Sequence, residues 1–419
     1  MAQEHERELN RRKFLSFLAA SPIAAYGAAD GFAQGVSAPP KLPDPIPWAP
    51  LQLSNLIKSP KDAINVFDFE PVMRQNVPPA HFGYMASGID DEATLRANRA
   101  DFQKFQLRPR RLVDVSKVDM KMTLFGHNYD SPIIAAPVGG QRSFHEDGEL
   151  AMARAAKAAN HLQILSTVTS TSVEDIIAAR SAPVWLQLYA TNKWEVAENI
   201  VKRAEKAGCN VLAVTVDRSG GRNQETLLRL RPTDNRDCNA CHDRTNLTTT
   251  NRNRPMYAAT DLTGLTNTQS SSMSWAYLKR IRGITKMKIV VKGLLAHEDA
   301  TLAVQNGIDG IIVSNHGARS EDSGRSTIDT LPEMLKAVNG RIPVLVDSGF
   351  RRGTDIVKAL AMGATGVCIG RPYIWGLGAF GQPGVERVLE LLRVETRGVM
   401  QQVGAPSLKD LKPAMVRRA

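Results

Sequence analysis

The chain has 419 residues, with 53 Lys and Arg against 42 Asp and Glu, a net charge of +11, 43% hydrophobic and 6% aromatic residues. This composition can bury a full core and excludes a disordered or collagen-like chain, and four cysteines are too few for a disulfide scaffold. No basic run is interleaved with aromatics, so the positive charge points to anionic substrates, acidic partners or a lipid surface and away from nucleic acid.

Residues 10–15 read Asn-Arg-Arg-Lys-Phe-Leu and lead into an apolar stretch of small residues from Phe14 to about Ala29. Pro22, Gly27 and Gly31 break a helix there, and residues 1–33 resemble a twin-arginine export signal, with cleavage after Ala33. Export of a folded protein suits a chain that loads a non-covalent cofactor first. The expected location is the periplasm, in solution or at the membrane surface. Arg7, Arg11, Arg12 and Lys13 are balanced by Glu4, Glu6, Glu8 and Asp30, so the basic excess belongs to the rest of the chain. Residues 34–64, Pro-rich from Pro39 to Pro50, read as a linker.

From residue 132 onward, short apolar runs alternate with helical patterns. The runs are Pro132–Ala136, Gln163–Ser166, Val184–Leu188, Val211–Val216, Lys288–Val291, Gly310–Val313, Pro343–Val346 and Gly366–Ile369. Their continuous apolar character predicts strands buried on both faces, and Glu149–Ala159, Glu195–Ala207, His297–Val304 and Thr354–Ala361 carry helical spacing. Eight such units predict a TIM (β/α)8 barrel over 65–412, with a short N-terminal helical extension and a C-terminal tail at 413–419. The stretch 218–272, after the fourth strand, is long and polar and reads as a lid.

Barrel active sites lie at the C-terminal ends of the strands, and here those ends are polar. They carry Ser166, Gln187 and Tyr189, Thr215 and Asp217, Lys292, Ser314 and His316, Asp347 and Gly349, then Gly370 and Arg371. Asp-Ser-Gly-Phe-Arg-Arg-Gly at 347–353, with Arg351, and Gly-Arg-Pro at 370–372 place glycine amides and fixed cations after strands seven and eight, the usual phosphate site of this fold. A phosphorylated cofactor follows. Lys292, a cation in the middle of the site, calls for an anion, which a reduced flavin ring offers. His316 suits a general base, Arg319 offers a planar fork to a carboxylate, and Asp217 is placed to orient the imidazole.

Ser-Asn-His-Gly-Ala-Arg (314–319), the 347–355 segment, Gly-Arg-Pro, Gln-Leu-Tyr (187–189), Thr-Val-Asp (215–217) and Tyr84 in Tyr-Met-Ala-Ser-Gly resemble, in order and spacing, the FMN-dependent 2-hydroxy-acid oxidase and dehydrogenase family, which includes glycolate oxidase, lactate oxidase and mandelate dehydrogenase. The resemblance runs from about residue 65 to 412. It implies His316 as base with Asp217 as partner, Tyr84 and Tyr189 on the substrate, Arg319 on its carboxylate, and Lys292 at the flavin N1–O2 edge. Ser166, Gln187, Thr215 and Ser314 would line the ring, Pro137, Val138 and Gly139 would flank it, and Gly349, Arg351, Gly370 and Arg371, with Asp347 nearby, would take the ribityl phosphate. The reaction implied is oxidation of an L-2-hydroxy acid to the 2-oxo acid. The implied assembly is a homotetramer. The export signal and basic charge favour a quinone or cytochrome over oxygen as final acceptor.

Three departures stand out. Gln224 occupies the position where the family carries a second carboxylate-binding arginine, and Arg222, two residues earlier, reaches the substrate only if the backbone shifts. Losing one charge-assisted contact would cost about 1.5–3 kcal/mol, which leaves a different alcohol or an amine open as substrate. Gly139 stands where many members have alanine, altering access near flavin N5. Cys238-Asn-Ala-Cys241-His242, in the lid, matches the pattern for covalent haem c attachment. Haem, with the lid as an electron relay, a disulfide, and no role are the three readings, and a polar lid with little apolar surface accommodates the disulfide best. No metal site is expected.

Overall fold

The computed structural model describes residues 56–218, 220–234, 251 and 253–419. Eight parallel strands close into a barrel: β1 Ile133–Ala135, β2 Leu162–Ser166, β3 Trp185–Tyr189, β4 Val211–Thr215, β5 Lys288–Leu294, β6 Gly310–Val313, β7 Val344–Val346 and β8 Gly366–Ile369. Each strand pairs with the next, and Val367 of β8 pairs with Ile133 of β1 to close the ring. The eight apolar runs of the sequence are these strands. A helix follows each one: α1 Gly148–Ala158, α2 Val173–Arg180, α3 Trp194–Ala207, α4 Trp275–Arg282, α5 His297–Gln305, α6 Thr327–Val338, α7 Gly353–Met362 and α8 Arg371–Val403. The last is broken at Phe380 and Gly381, whose backbones leave the helical region.

The strands are apolar throughout because both faces are covered. Ile133, Leu165, Leu186, Val214, Val291 and Val346 pack outward under the helices. Ile134, Ile164, Trp185, Ala213, Val290, Ile312, Leu345 and Cys368 fill the barrel interior. A hairpin of Met122–Leu124 and His127–Tyr129 plugs the N-terminal end, with Phe125 5.6 Å from Trp185 between ring centroids. Side chains alternate along a strand, so the inward face continues upward from Ile164 to Ser166, from Trp185 to Gln187, from Ala213 to Thr215, from Val290 to Lys292 and from Leu345 to Asp347. The interior is therefore apolar below and polar at the C-terminal mouth.

Two regions differ from the sequence expectation. The end of the expected linker is folded: Ser59 caps Pro60–Asp62, and Ala63 is buried in the core. Residues 416–418, expected as tail, form a strand antiparallel to Phe105–Leu107, with Met415 buried beneath it. The helical extension comprises Phe69–Asn76, Pro79–Ala86 and Ala93–Ala100. The described part of the lid is anchored as well, since Glu225–Leu230 lies against Pro79–Ala86 and both Met256 and Tyr257 are buried. The export motif, Cys238, Cys241 and His242 fall outside the described residues. Among the described residues, no helix is long and apolar enough to cross a membrane.

Candidate active site

The mouth of the barrel holds a cavity lined by Tyr84, Pro137, Val138, Gly139, Tyr189, Lys292, His316, Arg319, Asp347, Gly349, Arg351, Gly370 and Arg371. Residues from the ends of six strands thus share one chamber with Tyr84 of the N-terminal extension.

His316 sits at its centre. Its Nδ1 lies 2.8 Å from Asp217 Oδ1 and its Nε2 lies 3.2 Å from the Tyr189 hydroxyl. His316, Gly317 and Ala318 all have left-handed backbones (φ 59°, 68° and 63°), a strained run that turns the imidazole back over the mouth. The Ser314 hydroxyl steadies it by accepting the His316 amide at 3.0 Å. Burial pushes the imidazole down to about 4, despite the Asp217 carboxylate beside it, so the ring is neutral at neutral pH. Burial works against the charge of Asp217, but the positive charge available at His316 and Lys292 outweighs it and holds the carboxyl below its usual range. A neutral imidazole whose Nδ1–H faces a carboxylate leaves its Nε2 lone pair, beside the Tyr189 hydroxyl, as the acceptor at the cavity, the arrangement of a general base.

Two glycines permit this geometry. Gly293 interrupts β5 with φ 107° at a register shift, and a Cβ there would lie 2.6 Å from Asp217 Cβ. Only glycine lets Asp217 approach. Gly349 has φ 91°, and its Cβ would fall 1.9 Å from the Asn98 carbonyl oxygen.

Lys292 donates to Ser314 Oγ at 2.8 Å and faces Asp347 at 3.4 Å and Asp217 at 3.9 Å. Burial alone would discharge it, but the two carboxylates keep it protonated. Beside it, Ser166 donates to Gln187 Oε1 at 3.0 Å, while Gln187 Nε2 and Thr215 Oγ1 are buried with no protein partner. These unpaired polar atoms are what a flavin's polar rim would satisfy. Gly139 has Val168 against it: a Cβ at 139 would lie 2.2 Å from Val168 Cγ2.

At the opposite end of the cavity, burial and the like charges of Arg99 and Arg371 push Arg351 well below its usual value, and its guanidinium stacks 4.6 Å from the Trp375 ring centroid. Arg371 spends its fork on the carbonyls of Met85, Gly317 and Ser87, at 2.6, 2.9 and 3.1 Å. It thereby ties the Tyr84 segment to the His316 loop. Buried, crowded guanidinium groups require an anion, and the cofactor phosphate fits that requirement.

On the substrate side, Arg319 is 7% exposed, stacks 4.0 Å from the Tyr84 ring centroid, and has Nε and Nη2 buried without a partner. Its charge pulls the Tyr84 phenol down to about 8, against the effect of burial. Gln224 donates to Ser87 Oγ at 3.1 Å and so braces the Tyr84 segment. Arg222 lies beside the Arg319 segment. It is half-buried with its Nη1 3.5 Å from the Arg319 carbonyl, and burial with Arg218 and Arg319 lowers it to about 10. Reading the sequence passed over Arg218, which lies 5.8 Å from the Tyr189 ring centroid. Its place directly after Asp217 was the available signal.

A family model described as FMN-dependent dehydrogenase matches residues 73–418. A glycolate oxidase of Oryza sativa subsp. indica is 40% identical over 362 residues, covering 84% of this chain and 95% of its own. A 2-hydroxyacid oxidase of Dictyostelium discoideum is 39% identical over 355 residues, covering 84% and 90%. Among solved structures, a mandelate oxidase with (S)-2-phenylpropionate superposes with TM-score 0.74 at 34% identity, covering 85% of this chain and 98% of that one. A soluble mutant of the membrane-associated (S)-mandelate dehydrogenase from Pseudomonas putida gives 0.74 at 32% identity, covering 85% and 99%. With its closed barrel and the coverage of these relatives, the chain belongs to the FMN-dependent dehydrogenase family, oxidoreductases acting on CH–OH donors.

Proposed function

We propose that this protein oxidises an L-2-hydroxy acid to the 2-oxo acid and passes the electrons to a respiratory acceptor, a quinone or a cytochrome. The observation that carries the reading is His316, held between Asp217 and Tyr189 on the same cavity wall as the unpartnered N–H groups of Arg319. Bound FMN supplies a two-electron acceptor. Arg319 holds the substrate carboxylate, with Arg222 adding positive field, and the Tyr84 and Tyr189 hydroxyls orient the substrate oxygens. His316 takes one substrate proton at Nε2, and Asp217 stabilises the imidazolium that results. Lys292 would stabilise negative charge at the cofactor edge, Gln187 and Thr215 would pair its polar rim, and Arg351 with the Gly349 and Gly370 backbone would hold the phosphate, Arg371 adding positive charge while its fork ties the surrounding loops.

The basic charge and the Arg11-Arg12 motif support a periplasmic enzyme whose acceptor is membrane-bound or a small redox protein. Because Gln224 is committed to Ser87, oxidation of another alcohol or of an amine is the competing reading. Anaerobic flavin bleaching separates the two. The proposal predicts bleaching by 2-hydroxy acids, while bleaching only by alcohols or amines without a carboxylate would overturn it.

The two displaced side chains in the mouth set the pH dependence. kcat/KM for flavin reduction should fall below about pH 4, as His316 takes up a proton, and above about pH 8, as Tyr84 loses one. Tyr84→Phe should remove the alkaline limb while keeping the acid one. A limb unchanged in Tyr84→Phe would place that ionisation elsewhere.

A further inference from the structure

Two cations suffice to anchor the C1 carboxylate of a 2-hydroxy acid, yet three guanidinium groups lie around the mouth. Besides Arg319, Arg222 reaches the Arg319 carbonyl and Arg218 lies over Tyr189. The charges of all three bear on the Tyr84 phenol, and Arg319 lines the cavity itself. Among the described residues, none of the three forms an ion pair with a carboxylate, and Arg218 Nε is buried with no partner, as are Nε and Nη2 of Arg319. The two acids nearby are committed elsewhere: Asp217 to His316 and Lys292, Asp347 to Lys292 and the Ser348 hydroxyl.

Charge balance then speaks to the substrate. Before the flavin is reduced, Lys292, Arg218, Arg222 and Arg319 stand against Asp217 and Asp347, so a monocarboxylate leaves one cation of this group uncompensated and a dicarboxylate leaves none. Like charges gathered in low dielectric cost free energy that an arriving anion recovers. We propose that the substrate is a 2-hydroxy dicarboxylic acid whose distal carboxylate is held by Arg218 and Arg222 while Arg319 holds the carboxylate beside the reacting carbon. This assignment rests on the 2-hydroxy-acid reading above and narrows it. It also gives a physical role to the residues that precede the Gln224 departure, since positive charge absent at 224 is present at 218 and 222.

The test uses the FMN-loaded protein and a matched pair of acids, (S)-2-hydroxyglutarate and (S)-2-hydroxypentanoate, which share a five-carbon chain and differ in whether the far end is a carboxylate or a methyl. Anaerobic flavin reduction should give a kcat/KM at least about tenfold higher for the diacid, and that preference should shrink as ionic strength rises. In Arg218→Gln the diacid-to-monoacid ratio should fall by about tenfold or more, with KM for the diacid carrying the change. If the monoacid is reduced as well as the diacid in the unmodified protein, or if Arg218→Gln slows both acids equally, the dicarboxylate assignment fails and the 2-hydroxy-acid reading stands. If neither these nor other 2-hydroxy acids bleach the flavin, both fail.

Discussion

Replacing His316 with alanine should leave FMN bound and slow its reduction by substrate about 10²–10⁴-fold, the usual size of a lost general base. The imidazole's hydrogen bonds go to Asp217 and Tyr189, and the contact of its loop with the phosphate end runs from Arg371 to the Gly317 backbone, which alanine at 316 leaves in place. Cofactor retention and chemistry should therefore separate cleanly. Because His316 is neutral at neutral pH, the residual activity of the alanine variant should also lose the acid limb near pH 4. A variant that reduces flavin at near-normal rates, or that keeps that limb, would remove His316 from the reaction.

Gly349→Ala should destabilise the protein by about 2–4 kcal/mol and strip it of FMN. The strain has two sources that cannot be relieved together. A backbone at φ 91° disfavours any side chain, and the new methyl would sit 1.9 Å from the Asn98 carbonyl oxygen, a backbone atom. Asn98 is not free to yield, since its side chain exchanges two hydrogen bonds with Asn315, at 2.9 and 2.8 Å, one residue before His316. A shift at 349 therefore reaches both the phosphate end and the catalytic loop. The measurements are the denaturant midpoint and the flavin content after gel filtration. A stable variant that keeps its FMN would show that the 347–353 turn does not cradle the phosphate.

Much of the fold was legible because the barrel strands are apolar on both faces, which gives runs such as Val211–Val216 no alternative but burial. The polar strand ends followed from the same periodicity: once Trp185 points inward, Gln187 and Tyr189 do too. Short pairings left no such trace. The Phe105–Leu107 and Val416–Arg418 strands are three residues each, joined from opposite ends of the sequence. Nor did spacing reveal where a side chain would spend its hydrogen bonds. Gln224 and Arg371 turn to Ser87 and to backbone carbonyls, contacts set by the packing of the N-terminal extension on the barrel mouth. Arg218 was hidden by its position at the start of the lid, where a charged residue reads as solvated until the fold lays it over Tyr189.

The most direct measurement is a single anaerobic turnover of the FMN-loaded protein with a 2-hydroxy acid, following flavin absorbance and product together. The account predicts that the flavin bleaches with formation of one equivalent of the matching 2-oxo acid, and that His316→Ala forms almost none on the same timescale. Flavin that stays oxidised with every 2-hydroxy acid, or that bleaches without 2-oxo acid appearing, would contradict it.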